Sequence, residues 1–121
     1  LKFGAFLQEK PLKVSKICDK EKALLCTGFP SRLIISKESS NKFLDLIYPY
    51  GKVRMIGSAS LSLLKVAGGT ADAYSEEDIM LWDIAAGLAI VEGAGGKINL
   101  KPGQYENSFI VNANNGILTL D

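Results

Sequence analysis

The stretch ADAYSEEDIMLWDIAAGLAIVEGAGGKINL, residues 71–100, holds the transition on which the fold turns. Residues 71–74 read as a short strand, the acidic run after them as a loop, and residues 83–94 as a helix stopped by Gly95 and Gly96, after which KINL resumes a strand. The helix, DIAAGLAIVEGA, is apolar nearly all round, which predicts that it lies inside the domain and not on its surface. Ala85, Ala86, Gly87 and Ala89 keep one side thin, so a neighbouring element can approach closely. One residue breaks the pattern. Asp83 places a carboxylate where the helix begins, and such an acid costs free energy unless a helix end, a hydrogen-bond network or a cation compensates it.

Three readings of Asp83 follow from the residues alone. As an N-cap it accepts a backbone N–H from the first turn, worth about 1 kcal/mol. As a stray buried acid it is an outlier. As a metal ligand it joins Asp72, Glu76, Glu77 and Asp78, all within twelve residues, in a setting that suits Mg2+, a hard ion taking a few carboxylates plus water and substrate phosphate. Caps far outnumber metal sites. The two roles are compatible, since a carboxylate has two oxygens and several lone pairs.

Upstream, KALLCTGFP (residues 22–30) is a continuous apolar run ended by Gly28 and Pro30, the pattern of a strand buried on both faces. GAFLQEKPLKVSK before it suggests a hairpin or bent pair of strands. SSNKFLDLIYPYG predicts a helix with Phe43, Leu44 and Ile47 on one face, Ser39 or Ser40 as cap, and Pro49 and Gly51 as stop. KVRMIG is the next strand, and SASLSLLKVAGG a second helix with Leu61, Leu64 and Ala67 at helical spacing. SFIVNAN supplies the last strand. Strands separated by helices of this length imply a layered α/β/α domain, with helices on both faces of a mixed, largely parallel sheet.

Composition limits the chemistry. The 121 residues make one domain, 47% hydrophobic and 22% charged, which excludes a disordered segment. No run approaches the roughly 18 apolar residues of a membrane span. The first residue is Leu, not Met, so a fragment or processed product is expected. There is no histidine, which removes Ser-His-Asp and Cys-His mechanisms, and Cys18 and Cys26 are too few for a zinc cluster. They read as free thiols of a reducing cytoplasm. Residues 1–60 carry eleven Lys or Arg against five acids, while residues 61–121 carry three against eight. The basic residues are scattered and no aromatics interleave with them, so no nucleic-acid surface is expected.

In open α/β sheets ligands gather at the carboxyl ends of strands, beside helix N-termini. RMIGSAS is a second candidate on that rule. The strand ends at Gly57 and a helix opens at Ser58 and Ala59, exposing N–H groups suited to a phosphate or a sugar hydroxyl; the ordinary alternative is a serine N-cap. Arg54 suits either a substrate phosphate or a local acid. Glu76, Glu77 and Asp78 read most simply as a solvated acidic turn, and GAGG (residues 93–96) as a helix stop, lacking the spacing of a nucleotide-binding loop.

Taken together, GAFLQEKPLKVSK, LLCTGFP, RMIGSASLSLLKVAGGTADAY and WDIAAGLAIVEGAGG resemble the C-terminal half of the inositol monophosphatase family of magnesium-dependent, typically lithium-sensitive phosphatases, over nearly the whole chain. The resemblance implies that Asp83 binds a catalytic Mg2+ and touches substrate, that Gly57, Ser58 and Ala59 contact substrate, and that Glu76 binds a substrate hydroxyl. It implies that Trp82 packs in the core and fixes Asp83. Ser31 and Arg32 fall near substrate-facing positions of the family but align too loosely for a role. The family's other metal carboxylates, a Glu pair and an Asp-Pro-x-Asp-Gly-Thr motif, are absent from this sequence.

The expectation is therefore a C-terminal α/β domain, residues 1–121, of a cytoplasmic phosphoric monoester hydrolase. The parent would act on a small phosphorylated polyol or sugar such as inositol 1-phosphate, by metal-activated water, as a homodimer. This chain would supply one metal ligand and substrate contacts and be inactive alone. Alternatives are a fructose 1,6-bisphosphatase, an adenosine 3′,5′-bisphosphate nucleotidase, or a non-catalytic binding module that retains the fold.

Overall fold

The computed structural model describes residues 4–29 and 36–118; Pro30, Ser31 and Arg32 lie outside them. The chain opens with a small hairpin, β1 (Phe6–Leu7) and β2 (Lys10–Pro11). Its two turn residues, Gln8 and Glu9, take φ of 50° and 70°, the left-handed pair that a tight hairpin turn requires. A connecting segment with one 3-10 turn (Lys20–Lys22) then leads to β3 (Leu24–Thr27), α1 (Lys37–Ile47), β4 (Lys52–Met55), α2 (Ala59–Ala67), β5 (Ala73–Met80), α3 (Leu81–Gly93), β6 (Lys97–Pro102) and β7 (Ser108–Asn114).

Five strands form one sheet in the order β4-β3-β5-β7-β6. β3 runs parallel to β4 and β5, while β7 runs antiparallel to β5 and β6, giving the mixed sheet the sequence implies. The chain steps from β3 to β4 on one side and then crosses back over β3 to reach β5. Right-handed crossovers in opposite directions put their helices on opposite faces. The packing agrees: Ile47 of α1 lies against Leu25 and Ala73 on one face, and α2 and α3 cover Cys26, Tyr74, Val111 and Ala113 on the other. The carboxyl end of β3 is thus the point where the winding reverses, the usual ligand crevice of such sheets.

The α2/α3 face holds most of the core. Tyr74, Leu63, Ile84, Val66, Val91 and Val111 are all fully buried there, each side chain worth roughly 1.5–3 kcal/mol. Gly87 lets the two helices close: a Cβ on it would lie 2.7 Å from Leu63 Cδ1.

Several expectations are corrected. α3 begins two residues earlier than expected, and only its Ile84, Gly87, Leu88 and Val91 stripe is buried. Ala85, Ala86 and Trp82 face outward, Trp82 at 69% exposure, because position 82 sits half a turn round from Ile84. Trp82 is therefore no core residue. In α2 the inward residues are Ala59, Ser62, Leu63, Val66 and Ala67, while Leu61 and Leu64 are exposed. The cap of α1 is Ser36, which forms a capping box with Ser39, and Leu44 points outward.

Candidate functional site

β5 continues through the acidic run expected to be a loop. Its pairing with β7 shifts between Glu76 and Ile79, and Asp78 sits in that bulge at φ 53° with Oδ1 accepting the Gln104 N–H at 2.9 Å. A bulge lets the strand absorb an extra residue without ending. The acids are thereby separated. Glu77 pairs with Lys42 at 3.3 Å, and Asp72 is buried as a structural acceptor for the Ser15 hydroxyl and the Leu24 N–H.

Asp83 is the third residue of α3 and not its cap; the cap position is Met80, which has no side chain able to bond the first turn. Leu81 N–H donates instead to the Asn107 carbonyl at 2.9 Å. The acid still sits in the first turn, where the helix dipole favours a negative charge, and it is exposed, so the cost of a buried carboxylate does not arise. Among the described residues no hydrogen bond is made to its carboxylate.

The second candidate segment lies alongside. Gly57 takes φ +82° with open space where a side chain would be, so glycine is required for backbone conformation. Ser58 is the N-cap of α2, its Oγ accepting the Leu61 N–H at 3.2 Å. The N–H groups of Ala59 and Ser60 belong to the orphan set of any helix start. Ser60 Oγ donates to the Asp83 carbonyl at 3.0 Å, which ties the first turn of α2 to that of α3.

Both helix starts and the carboxyl ends of β3 and β5 wall a cleft of about 500 Å3, lined by Gly57, Ser58, Ala59, Glu76 and Asp83 together with Thr27, Gly28, Phe29, Met55, Ser60 and Ile79. All five residues singled out in the sequence thus meet in one place. Arg54 does not join them: its guanidinium folds back to donate to the Val53 carbonyl at 2.9 Å. Thr27, Gly28 and Ser60 were not anticipated. The signal for the first two was present, since TGFP follows a buried strand at a winding reversal.

Glu76 projects from β5 beside Gly28, where a Cβ would fall 2.6 Å from Glu76 Oε1. Burial pushes the Glu76 carboxyl above the ordinary glutamate range, the nearby Tyr74 hydroxyl offsets part of that, and the Asp83 charge adds to it. Burial, then Glu76, then Asp83 push the Tyr74 hydroxyl far up as well.

The cleft therefore offers a positive end made of two helix starts and a negative wall made of two carboxylates. Mg2+ is commonly held by one or two carboxylates with water and phosphate filling its other positions. Asp83, exposed and with no hydrogen bond to its carboxylate among the described residues, fits as one such ligand; no group of three metal-ligating side chains gathers among the described residues, so the fit is that of a contributor. Cys18 and Cys26 are free, Cys18 exposed and Cys26 buried. No helix among the described residues is long and apolar enough to cross a membrane.

Comparison with known proteins identifies the relatives of this chain. Over 96 residues the chain is 40% identical to "Nus factor SuhB" of Xylella fastidiosa, covering 78% of this chain and 35% of that protein. It is 39% identical over 97 residues to the "Inositol-1-monophosphatase" of a Synechocystis species, covering 79% of this chain and 34% of that one. Among solved structures, the inositol monophosphatase from Anabaena superposes with a TM-score of 0.80 at 35% identity, covering 94% of this chain and 46% of that chain. The chain spans about a third of the length of these two curated relatives. The family model for the "Inositol monophosphatase family" matches residues 1–120, and the chain belongs to that family.

Proposed function

We infer that this chain is the C-terminal domain of a magnesium-dependent phosphatase acting on the phosphate monoester of a small polyol or sugar, inositol 1-phosphate being the reference substrate. The observation that carries the reading is the meeting of Asp83, Glu76 and the start of α2 in one cleft. Asp83 would hold Mg2+ together with carboxylates supplied from outside this chain. When bound, the ion supplies charge neutralisation for the phosphate and a water of lowered pKa. The chain's own residues do the rest. The Ala59 and Ser60 N–H groups donate to phosphate oxygens or to a sugar hydroxyl oxygen, and the Ser60 to Asp83 bond keeps the two helix starts in fixed relation. Glu76 accepts a hydrogen bond from a substrate hydroxyl. Phosphoryl transfer asks mainly for positioning and charge stabilisation, so a chain without histidine suffices for its share.

One aspartate does not hold a two- or three-metal cluster, so the isolated chain binds magnesium weakly and turns over little. Phosphate release from inositol 1-phosphate with Mg2+, measured on the complete polypeptide and on residues 1–121, tests both statements. Robust turnover by the segment alone refutes the second. A panel adding fructose 1,6-bisphosphate and adenosine 3′,5′-bisphosphate separates the related phosphatases. A cytoplasmic homodimer is part of the same reading.

A second reading draws on the name "Nus factor SuhB" carried by relatives from Xylella fastidiosa and Pseudomonas aeruginosa. On it the chain is a non-catalytic assembly module, and the complete polypeptide releases no phosphate from any of the three substrates.

A further inference from the structure

Tyr74 is 1% exposed and among the largest fully buried side chains. Its hydroxyl is the buried side-chain polar atom left without a hydrogen-bond partner among the described residues. Buried tyrosine hydroxyls normally find a partner, and an exception asks for an explanation. The place is informative. Tyr74 and Glu76 are two residues apart on β5 and so project to the same face of the sheet. Tyr74 pairs in register with Cys26 and packs in the cluster that contains Ala59 and Ile84, one from the first turn of each helix that walls the cleft. It therefore forms the floor directly behind the site.

Glu76 is the matching half. It lines the cleft, and its carboxylate accepts no hydrogen bond among the described residues. Each carboxylate oxygen also accepts more than one hydrogen bond, so a bond from behind leaves capacity for a ligand in front. The hydroxyl faces that carboxylate closely enough to favour its ionised form, yet the geometry falls short of a hydrogen bond. A buried donor and a half-buried acceptor thus stand side by side, unjoined.

We propose that Tyr74 is a positioning residue: its hydroxyl, unpaired in the free protein, donates to the Glu76 carboxylate when a polyol phosphate enters the cleft, and so fixes the acceptor that receives the ligand's hydroxyl. This rests on the substrate-hydroxyl role given to Glu76 above. The free protein carries an unsatisfied group in its core, and ligand binding satisfies it. Removing the hydroxyl costs the free fold nothing and weakens the bound state.

Calorimetric titration of the complete polypeptide with inositol 1-phosphate, with Ca2+ in place of Mg2+ so that binding is read without turnover, tests this on wild type, Tyr74→Phe, Glu76→Ala and the double variant, together with thermal melts. Tyr74→Phe is expected to melt no lower than wild type, to bind about tenfold more weakly, and to show no such loss on the Glu76→Ala background, where no acceptor remains. A Phe variant that melts lower and binds as wild type overturns the proposal and leaves the hydroxyl structural. A loss that is equal with and without Glu76 also overturns it, since the hydroxyl then acts by another route. If wild type itself does not bind the probe, the reading of the site falls and this inference with it. That outcome is distinct, because the other two are read only on a binding wild type.

Discussion

Gly28, just past the end of β3, and Glu76, midway along β5, lie against each other, with the position of a Gly28 Cβ 2.6 Å from Glu76 Oε1. Gly28 is not at positive φ, so its backbone accepts alanine, and the atom it would strike is the far end of a flexible side chain. Gly28→Ala is therefore expected to fold with a stability change within about 1 kcal/mol, because it neither strains the backbone nor opens a cavity. Its effect falls on Glu76, which must swing away. Binding of inositol 1-phosphate with Mg2+ weakens while the melting temperature barely moves. Unchanged affinity would show that the observed place of the Glu76 carboxylate is immaterial.

Gly87 makes the opposite case. A Cβ there meets Leu63 Cδ1 at 2.7 Å and Leu63 Cβ at 2.8 Å, and Leu63 is fully buried, so neither side gives cheaply. Overpacking costs about 1–3 kcal/mol, and the better helix propensity of alanine returns up to about 1 kcal/mol. Gly87→Ala should lower the urea midpoint, and the cost should shrink when Leu63→Ala is added, since contacting residues couple. Additive effects in that double variant would mean the helices do not pack through this pair.

Cys26 fixes an alkaline limit. It is 0% exposed, and burial raises its thiol above the ordinary value of 9.0, with Lys65 offsetting part of the rise. The unfolded chain loses that proton first as pH rises. Its contribution to stability is therefore complete below about pH 9 and is lost as pH climbs through the folded value. Urea midpoints taken from pH 7.5 upward should fall beyond the thiol's ordinary range, and Cys26→Ala should flatten that first part of the decline. A wild type and variant with parallel pH profiles would contradict this.

Much of this architecture was legible because it rests on local patterns. LLCT is buried on both faces as its unbroken apolar run implies, and Gly57 with Ser58 marks the start of α2 as a strand end followed by a cap should. What escaped were features set by tertiary pairing. The run Glu76–Asp78 looks like a solvated turn by charge alone; only the pairing of β5 with β7 carries it through as a bulged strand. An apolar helix pattern does not say which of its faces meets the sheet, so Trp82, Ala85 and Ala86 read as interior in the sequence and lie outside in the fold. Asp83 reads as a cap because an acid at a helix start is usually one, whereas the helix begins at Leu81 and its first N–H is satisfied by the Asn107 carbonyl.

That displacement from the cap is what makes Asp83 testable as a ligand. A capping carboxylate would be needed by its own helix, and replacing it would confound stability with metal binding. Here no side chain caps α3, and Asp83→Asn keeps the shape while removing the charge. The expected stability loss is limited to the helix-dipole interaction, about 0.3–1 kcal/mol. Mn2+ added in small amounts to the isotopically labelled protein should broaden the amide signals of residues 57–60 and 81–84 in wild type, because those two helix starts share the cleft. In Asp83→Asn the same broadening should need several-fold more Mn2+. If both proteins broaden alike at every concentration, the ion sits elsewhere, and a carboxylate at the head of α3 serves only the dipole of its own helix.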